Sequence, residues 1–286
     1  MLNGVTMKIN VDDYIINTLK EDITSEDVST NAVMPEDKQG RADLICKQDG
    51  VICGLDVFER TFKLLDETSR FEANFKDGDY VKKGDLLGVI YGDVKAILSG
   101  ERTALNYLQR MSGIATMTRE YVNELEGYKT ILLDTRKTTP NMRPFEKHAV
   151  KVGGAVNHRY NLSDGVLLKD NHIDFAGGIE NAIDRCHKYL KDKALDLNIE
   201  IEVRDFNELQ QVLDKGGVHR IMLDNFSVED TKKAVDMIGG KYETESSGGI
   251  TFDTIRKYAE QGVDFVSVGA LTHSVKGLDM SFKAVD

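Results

Sequence analysis

Positive charge is scarce in this sequence, and so are cysteine, proline and long apolar runs. Thirty-seven Lys and Arg face 48 Asp and Glu, a formal net charge of -11. Binding nucleic acid takes an excess of Lys and Arg to neutralise phosphates, so a broad nucleic-acid surface is excluded. Basic residues that bind an anion must be concentrated locally. The three cysteines, Cys46, Cys53 and Cys186, are odd in number, and their spacing suits neither a zinc motif nor a disulfide framework. Free thiols in a reducing, cytoplasmic setting are the reading that follows. No stretch is long and apolar enough to span a membrane. The opening MLNGVTMKINVDDYI lacks the apolar run with basic flanks of a signal peptide. With only Pro35, Pro140 and Pro144, and no Ser-rich stretch, no linker stands out.

What is present is enough for a core. Hydrophobic residues make up 41% and charged residues 30% of 286 residues, which suits one large α/β domain or a barrel plus a smaller domain. The first part is mixed. An amphipathic helix starts near Val11 and carries Tyr14, Ile15 and Leu19 on one face. RADLICKQDG, FEANFKDGDYV and DLLGVIYG then alternate strand-like runs with turn signals, which predicts a small antiparallel sheet with flanking helices. A long helix is expected after Ser99, with Ser99 as its N-cap and Glu101 in the first turn; Gly113 is the weak point in its pattern.

From about Thr130 the texture changes. TILLDT, GVLLKD, NIEIEV, RIMLDN, YETES and DFVSVG are short runs rich in apolar or β-branched residues. Between the later ones lie IENAIDRCHKYL, FNELQQVLDKGG, SVEDTKKAVDMIGG and TFDTIRKYAEQG, the last three closed by glycine. Such alternation means parallel βαβ units, and this many in a row predicts a (β/α) barrel.

The polar residues of this half gather at the strand ends: Asp134, Arg136 and Lys137; Lys169 and Asp170; Glu202; Asp224; Glu245 and Ser246. In a barrel those ends carry the site. Between Asp134 and His172, seven Lys and Arg stand against four acids, in a chain that is negative overall. Lys147 and Lys151, on a presumed helix, read as a solvated basic face. Arg136, Lys137 and Lys169 read as ligand groups, and the planar fork of Arg suits carboxylates. SSGG at Ser246–Gly249 and SVGA at Ser267–Ala270 let backbone N–H groups approach a phosphate, or are two ordinary turns. Glu202 and Asp224 either hold ribose hydroxyls or Mg²⁺, or balance the charge of Lys137 and Lys169. Glu200 shares the face of Glu202 and is the weaker candidate.

DTRKTTPNMRPFEKHAVKVGGAVNHR, DGVLLKDNHI, IEIEV, IMLDN, ESSGGI and VGALTHS, in this order, resemble the quinolinate phosphoribosyltransferases. GERTALNYLQRMSGIAT resembles the family's helix that follows its small domain. The resemblance implies an N-terminal α/β sandwich domain over 1–113 and an incomplete (β/α) barrel over 114–272. A tail over 273–286 is expected to pack back on the first domain. It also implies a homodimer in which Arg102 reaches quinolinate across the interface. Arg136, His158, Arg159 and Lys169 then correspond to the pocket for the two quinolinate carboxylates. Lys137, with Thr135 beside it, corresponds to a contact with phosphoribosyl pyrophosphate. Glu202 and Asp224 would hold the ribose and donor-bound Mg²⁺. Ser247, Gly248, Gly249, Val268, Gly269 and Ala270 would cradle the 5′-phosphate, with His273 near it. Lys137, Lys169, Glu202 and Asp224 are the residues expected to carry catalysis. The sequence departs from the family's pattern at Asn141 and Ala155, where glycine is common, and at Arg204, where an acid is common.

The rival readings are a related phosphoribosyltransferase acting on nicotinate or another small acid, a Schiff-base aldolase using Lys169 or Lys137, and a non-catalytic anion-binding protein.

Overall fold

A computed structural model describes residues 10–36 and 38–285. The stretch 1–9, part of the segment inspected for a signal peptide, lies outside the described residues. The first part of the chain runs α1 (Asp12–Asp22), α2 (Val28–Val33), β1 (Gln39–Cys46), β2 (Gly50–Val51), α3 (Leu55–Lys63), β3 (Arg70–Ala73), β4 (Tyr80–Val81), β5 (Leu86–Asp93) and α4 (Val94–Glu124). The rest runs β6 (Ile131–Leu133), α5 (Arg143–Gly153), β7 (Val166–Leu168), α6 (Asp170–Ala176), α7 (Ile179–Lys193), β8 (Ile199–Val203), α8 (Phe206–Lys215), β9 (Arg220–Asp224), α9 (Val228–Ile238), β10 (Glu243–Ser247), α10 (Phe252–Ala259), β11 (Phe265–Ser267), α11 (Ala270–His273) and β12 (Met280–Val285). Two compact units result. One takes the chain up to Arg119, Thr138–Gly154 and everything from Val275; the other takes Glu120–Lys137 and Ala155–Ser274.

In the first unit an antiparallel sheet has the order β12-β1-β5-β3, beside a two-stranded β2-β4 pair. Strand β1 alternates: Ala42, Leu44 and Cys46 are buried, while the residues between them are only partly so. That face packs with Phe58 and Phe62 of α3 and Leu105 and Leu108 of α4 into one core. The tail residues return as β12, with Phe282 opposite Leu44.

Helix α4 begins earlier than the sequence pattern suggests. The carboxylate of Asp93 accepts the N–H groups of Lys95 (2.9 Å) and Ala96 (3.2 Å), so Asp93 caps the helix. Ser99 and Glu101 therefore lie inside α4, and the Ser99 hydroxyl donates to Asp27 at 2.9 Å instead. The apolar, β-branched run after Asp93 reads as strand and hides the true start. A second correction concerns Lys147. It is 1% exposed on α5 rather than part of a solvated face, whereas Lys151 is exposed. Asn141, in the turn before α5, takes φ 62, the left-handed conformation glycine adopts without strain.

The second unit holds a wholly parallel six-stranded sheet in the order β6-β11-β10-β9-β8-β7. Strands β6 and β7 end the order unpaired with one another, so the barrel is open. One face is apolar. Ile199, Ile201, Val203, Ile221 and Leu223 pack against Ile183, Leu209, Val212, Ala234 and Ile238 of the covering helices. The alternate face is polar, and its rows follow from the register. Glu200 lies beside Arg220 and Arg220 beside Glu243; Glu202 lies beside Met222 and Met222 beside Glu245; Asp224 lies beside Ser247. The helices are stopped and started locally. Asp205 and Ser227 cap α8 and α9 by accepting the Glu208 and Asp230 N–H groups, and Gly216 and Gly239 close them.

Candidate active site

The C-terminal strand ends of the parallel sheet enclose a cavity of about 650 Å³. Thr135, Arg136 and Lys137 enter it after β6, and Lys169 after β7. Glu202 enters from β8, Asp224 from β9, and Ser247, Gly248 and Gly249 at the end of β10. His158 and Arg159 come from the segment between α5 and β7.

Local bonds fix these groups. The buried Asp134 accepts the His158 N–H at 2.8 Å and so ties the His158–Arg159 segment to the end of β6. Lys137 donates its N–H to the Thr135 hydroxyl (3.0 Å), and its carbonyl accepts the Thr272 hydroxyl (3.0 Å). Lys169 and Glu202 form an ion pair at 2.7 Å, with the carboxylate almost wholly buried. Asn225 Nδ2 donates to Asp224 at 2.8 Å, while the Asn225 N–H donates to the Ser247 carbonyl at 2.8 Å. Asn225 takes φ 56. Gly248, at φ 91, closes against it: a Cβ there would stand 2.2 Å from Asn225 Oδ1. Gly249, at φ 61, has open space where its Cβ would be. Gly248 is thus required by a close approach, and Gly249 leaves an open flank beside it.

The electrostatics are uneven. Arg136 and Arg159 make no salt bridge among the described residues, and Arg136 Nε is buried without a hydrogen-bond partner. Burial and then the charge of Arg136 draw the Arg159 pKa down. Two guanidiniums that repel one another in a cavity favour an anionic ligand. Beside them, His158 Nε2 stands 3.0 Å from Glu200 and 3.6 Å from Glu245, and its Nδ1 accepts the Arg159 N–H at 2.8 Å. Burial pushes Glu200 up to about 7. Burial, then the neighbouring Glu200 charge, does the same to Glu245. Arg220 pairs with Glu245 at 3.0 Å and lies over the Phe265 ring at 3.7 Å.

The remaining expected site residues do not line this cavity. Val268 is buried and donates its N–H to the Leu133 carbonyl at 3.0 Å. Gly269 adjoins the lining: a Cβ there would meet Lys137 Cδ and His273 Nε2 at 3.0 Å each. Ala270 starts α11, and His273 is exposed with Nδ1 2.7 Å from the Ser274 hydroxyl. Arg102 is exposed on α4 in the other unit. Arg204 pairs with Asp174 and Glu208, away from the lining residues. Sequence reasoning missed Asn225, whose signal was its place directly after a strand-end acid, where Asn readily takes the left-handed turn. It named Glu245 at a strand end but gave it no role, although burial and the charge beside it single out this lining residue.

An open parallel α/β barrel with two arginines outside any salt bridge, strand-end carboxylates and a glycine turn at one mouth belongs to the class of barrel proteins whose small-molecule site lies at the C-terminal strand ends. Comparison with known proteins narrows this. The profile of the quinolinate phosphoribosyl transferase C-terminal domain matches residues 114–283, and that of the N-terminal domain matches residues 27–112. A rice protein named nicotinate-nucleotide pyrophosphorylase [carboxylating], chloroplastic, is 42% identical over 271 residues, covering 90% of this chain and 72% of the relative. A Bacillus subtilis protein named as a probable enzyme of the same kind is 39% identical, covering 91% and 89%. The crystal structure of NadC from Streptococcus pyogenes superposes with a TM-score of 0.90 at 42% identity, over 99% of this chain and 100% of that one. The chain belongs to the quinolinate phosphoribosyltransferase family. No helix among its described residues is long and apolar enough to cross a membrane.

Proposed function

We propose that this chain transfers the phosphoribosyl group of phosphoribosyl pyrophosphate to quinolinate, with decarboxylation. The products are nicotinate mononucleotide, carbon dioxide and pyrophosphate, a step of NAD biosynthesis. The observation that carries the reading is the pair Arg136 and Arg159, two guanidiniums in one cavity with no salt bridge. A pyridine with two carboxylates supplies the missing charge. Lys169 adds a third cation at the rim. His158, whose ring nitrogens face Glu200 and the Arg159 N–H, orients Arg159.

The phosphate end of the donor lies against Ser247, Gly248 and Gly249, with Lys137 and the adjoining Val268–Ala270 turn and His273 beside it. Glu202 and Asp224 hold the ribose. They are carboxylate donors in a polar cavity, which fits Mg²⁺, an ion that takes one or two carboxylates together with substrate phosphates. Bound there, Mg²⁺ would neutralise the leaving pyrophosphate. The pyridine nitrogen lone pair forms the bond to the anomeric carbon as the bond to pyrophosphate breaks. Glu202 and Asp224 stabilise the positive charge that builds on the ribose. Holding acceptor and donor in line supplies much of the rate. The ribosylated ring then accepts the electron pair of the breaking carbon–carboxylate bond, carbon dioxide leaves, and that carbon takes a proton. Arg136 and Arg159 retain the remaining carboxylate.

The chain acts in the cytoplasm as a homodimer, and Arg102 of each subunit reaches the other's quinolinate. Acceptor comparison tests the substrate. kcat/KM for quinolinate should exceed that for nicotinate at least tenfold; equal or better use of nicotinate would discard the dicarboxylate assignment.

A further inference from the structure

Cys53, Asp77 and His148 offer three ligand atoms that all lie within 4.8 Å of one another in the first unit. They come from distant points of the chain: the connection between β2 and α3, the turn before β4, and α5. Sequence spacing gives no hint of them as a set.

Each is held. The Cys53 N–H donates to the Ser112 hydroxyl at 3.0 Å, and that hydroxyl donates to the Cys53 carbonyl at 3.2 Å. The Asp77 carboxylate accepts the N–H groups of Gly54 (2.9 Å) and Leu55 (3.1 Å), which fixes its plane. His148 projects from α5 with its side chain about half exposed, so one side stays open to solvent. Asp77 Oδ2 and His148 Nε2 stand 3.5 Å apart, too long for a good hydrogen bond. Two ligands about 2.0–2.1 Å from one tetrahedral ion stand about 3.3–3.4 Å apart, within about 0.2 Å of the 3.5 Å present. Thiolate, imidazole and carboxylate together suit zinc and not Mg²⁺, which prefers oxygen ligands alone.

The geometry points to a zinc site in which Cys53 Sγ, Asp77 Oδ2 and His148 Nε2 are three ligands and water the fourth. Binding replaces the thiol proton, released to solvent, by a zinc–sulfur bond. The backbone donors on Asp77 are the outer contacts that aim it. The ion ties three distant segments of the unit together and stabilises the fold by mass action. Among the described residues the other group of this kind, His158, Glu200 and Glu245, has Glu245 held by Arg220 and adjoins the cavity already described.

The site is independent of the phosphoribosyl-transfer reading, since none of its residues lines that cavity. The test uses the full chain, stripped with a chelator and titrated with ZnCl₂ or CoCl₂ in excess MgCl₂. Wild type should take up one Zn²⁺ per chain with a rise in Tm, and Co²⁺ should give a thiolate charge-transfer band. Cys53→Ser should lose the band, and His148→Ala, an exposed change that spares the core, should weaken zinc uptake at least tenfold. Cys186→Ser should behave as wild type. No uptake by wild type, a band surviving Cys53→Ser, or full affinity in His148→Ala would each overturn the assignment.

Discussion

Arg136 and Arg159 share a cavity, neither makes a salt bridge among the described residues, and the charge of Arg136 adds to burial in drawing the Arg159 pKa down. Truncating one partner of a buried charge pair costs about 2–5 kcal/mol. Arg136→Ala and Arg159→Ala should therefore each lower kcat/KM for quinolinate at least tenfold in steady-state assays; unchanged kinetics in both would remove them from the acceptor pocket. Glu245 offers a different test. Its carboxyl is pushed up from the ordinary carboxylate range to about 7, by burial first and the Glu200 charge second. The folded protein then binds a proton more tightly than the unfolded chain does. The stabilisation is complete below the unfolded value and is lost as pH rises through about 7. Tm should fall between pH 4.5 and 7 more steeply in wild type than in Glu245→Gln, and parallel curves would contradict the raised pKa.

Two glycines show how the elements are fitted. At Gly248 a methyl group would meet Asn225 Oδ1 at 2.2 Å and force φ 91 on an L side chain. Gly248→Ala should cost about 1–3 kcal/mol of strain and disturb the bond from Asn225 to Asp224. The expected readout is a kcat/KM loss with phosphoribosyl pyrophosphate varied; a variant as active as wild type would show that this turn does not matter to the donor. At Gly113 a Cβ would stand 2.3 Å from the Lys276 carbonyl. Gly113→Ala should lower Tm by several degrees, although alanine is the better helix former; a raised Tm would mean the backbone has room. Most strands and the longer helices of both units were legible because burial imposes periods of 2 and 3.6 on the sequence, whereas the short α2 and α6 and the tail strand β12 were not singled out. The start of α4 was not, since the cap comes from Asp93, at the end of a strand that runs straight into the helix. Lys147 misled for a related reason: charge argues for solvent, and only the packing of α5 shows that it is buried. In the site, the strand-end Arg, Lys and acids could be read directly. Asn225, and the grouping of Cys53 with Asp77 and His148, depend on contacts that spacing along the chain does not encode.

At the scale of the molecule, a chain of net charge -11 sets Arg136, Lys137, Arg159 and Lys169 around one barrel mouth, a local cluster that suits a small anion and not a nucleic acid. The proposed homodimer predicts complementation. Mixing Arg102→Ala with Lys169→Ala chains should restore part of the activity in verified mixed dimers, because one site then keeps both side chains; no recovery would confine Arg102 to its own subunit or to no role. The most direct measurement on the central claim is a product balance. The chain is incubated with quinolinate, phosphoribosyl pyrophosphate and Mg²⁺, and nicotinate mononucleotide and carbon dioxide are followed together. The account predicts that the two appear in equal amounts and only when both substrates are present. Nucleotide without carbon dioxide, or no nucleotide at all, would contradict it.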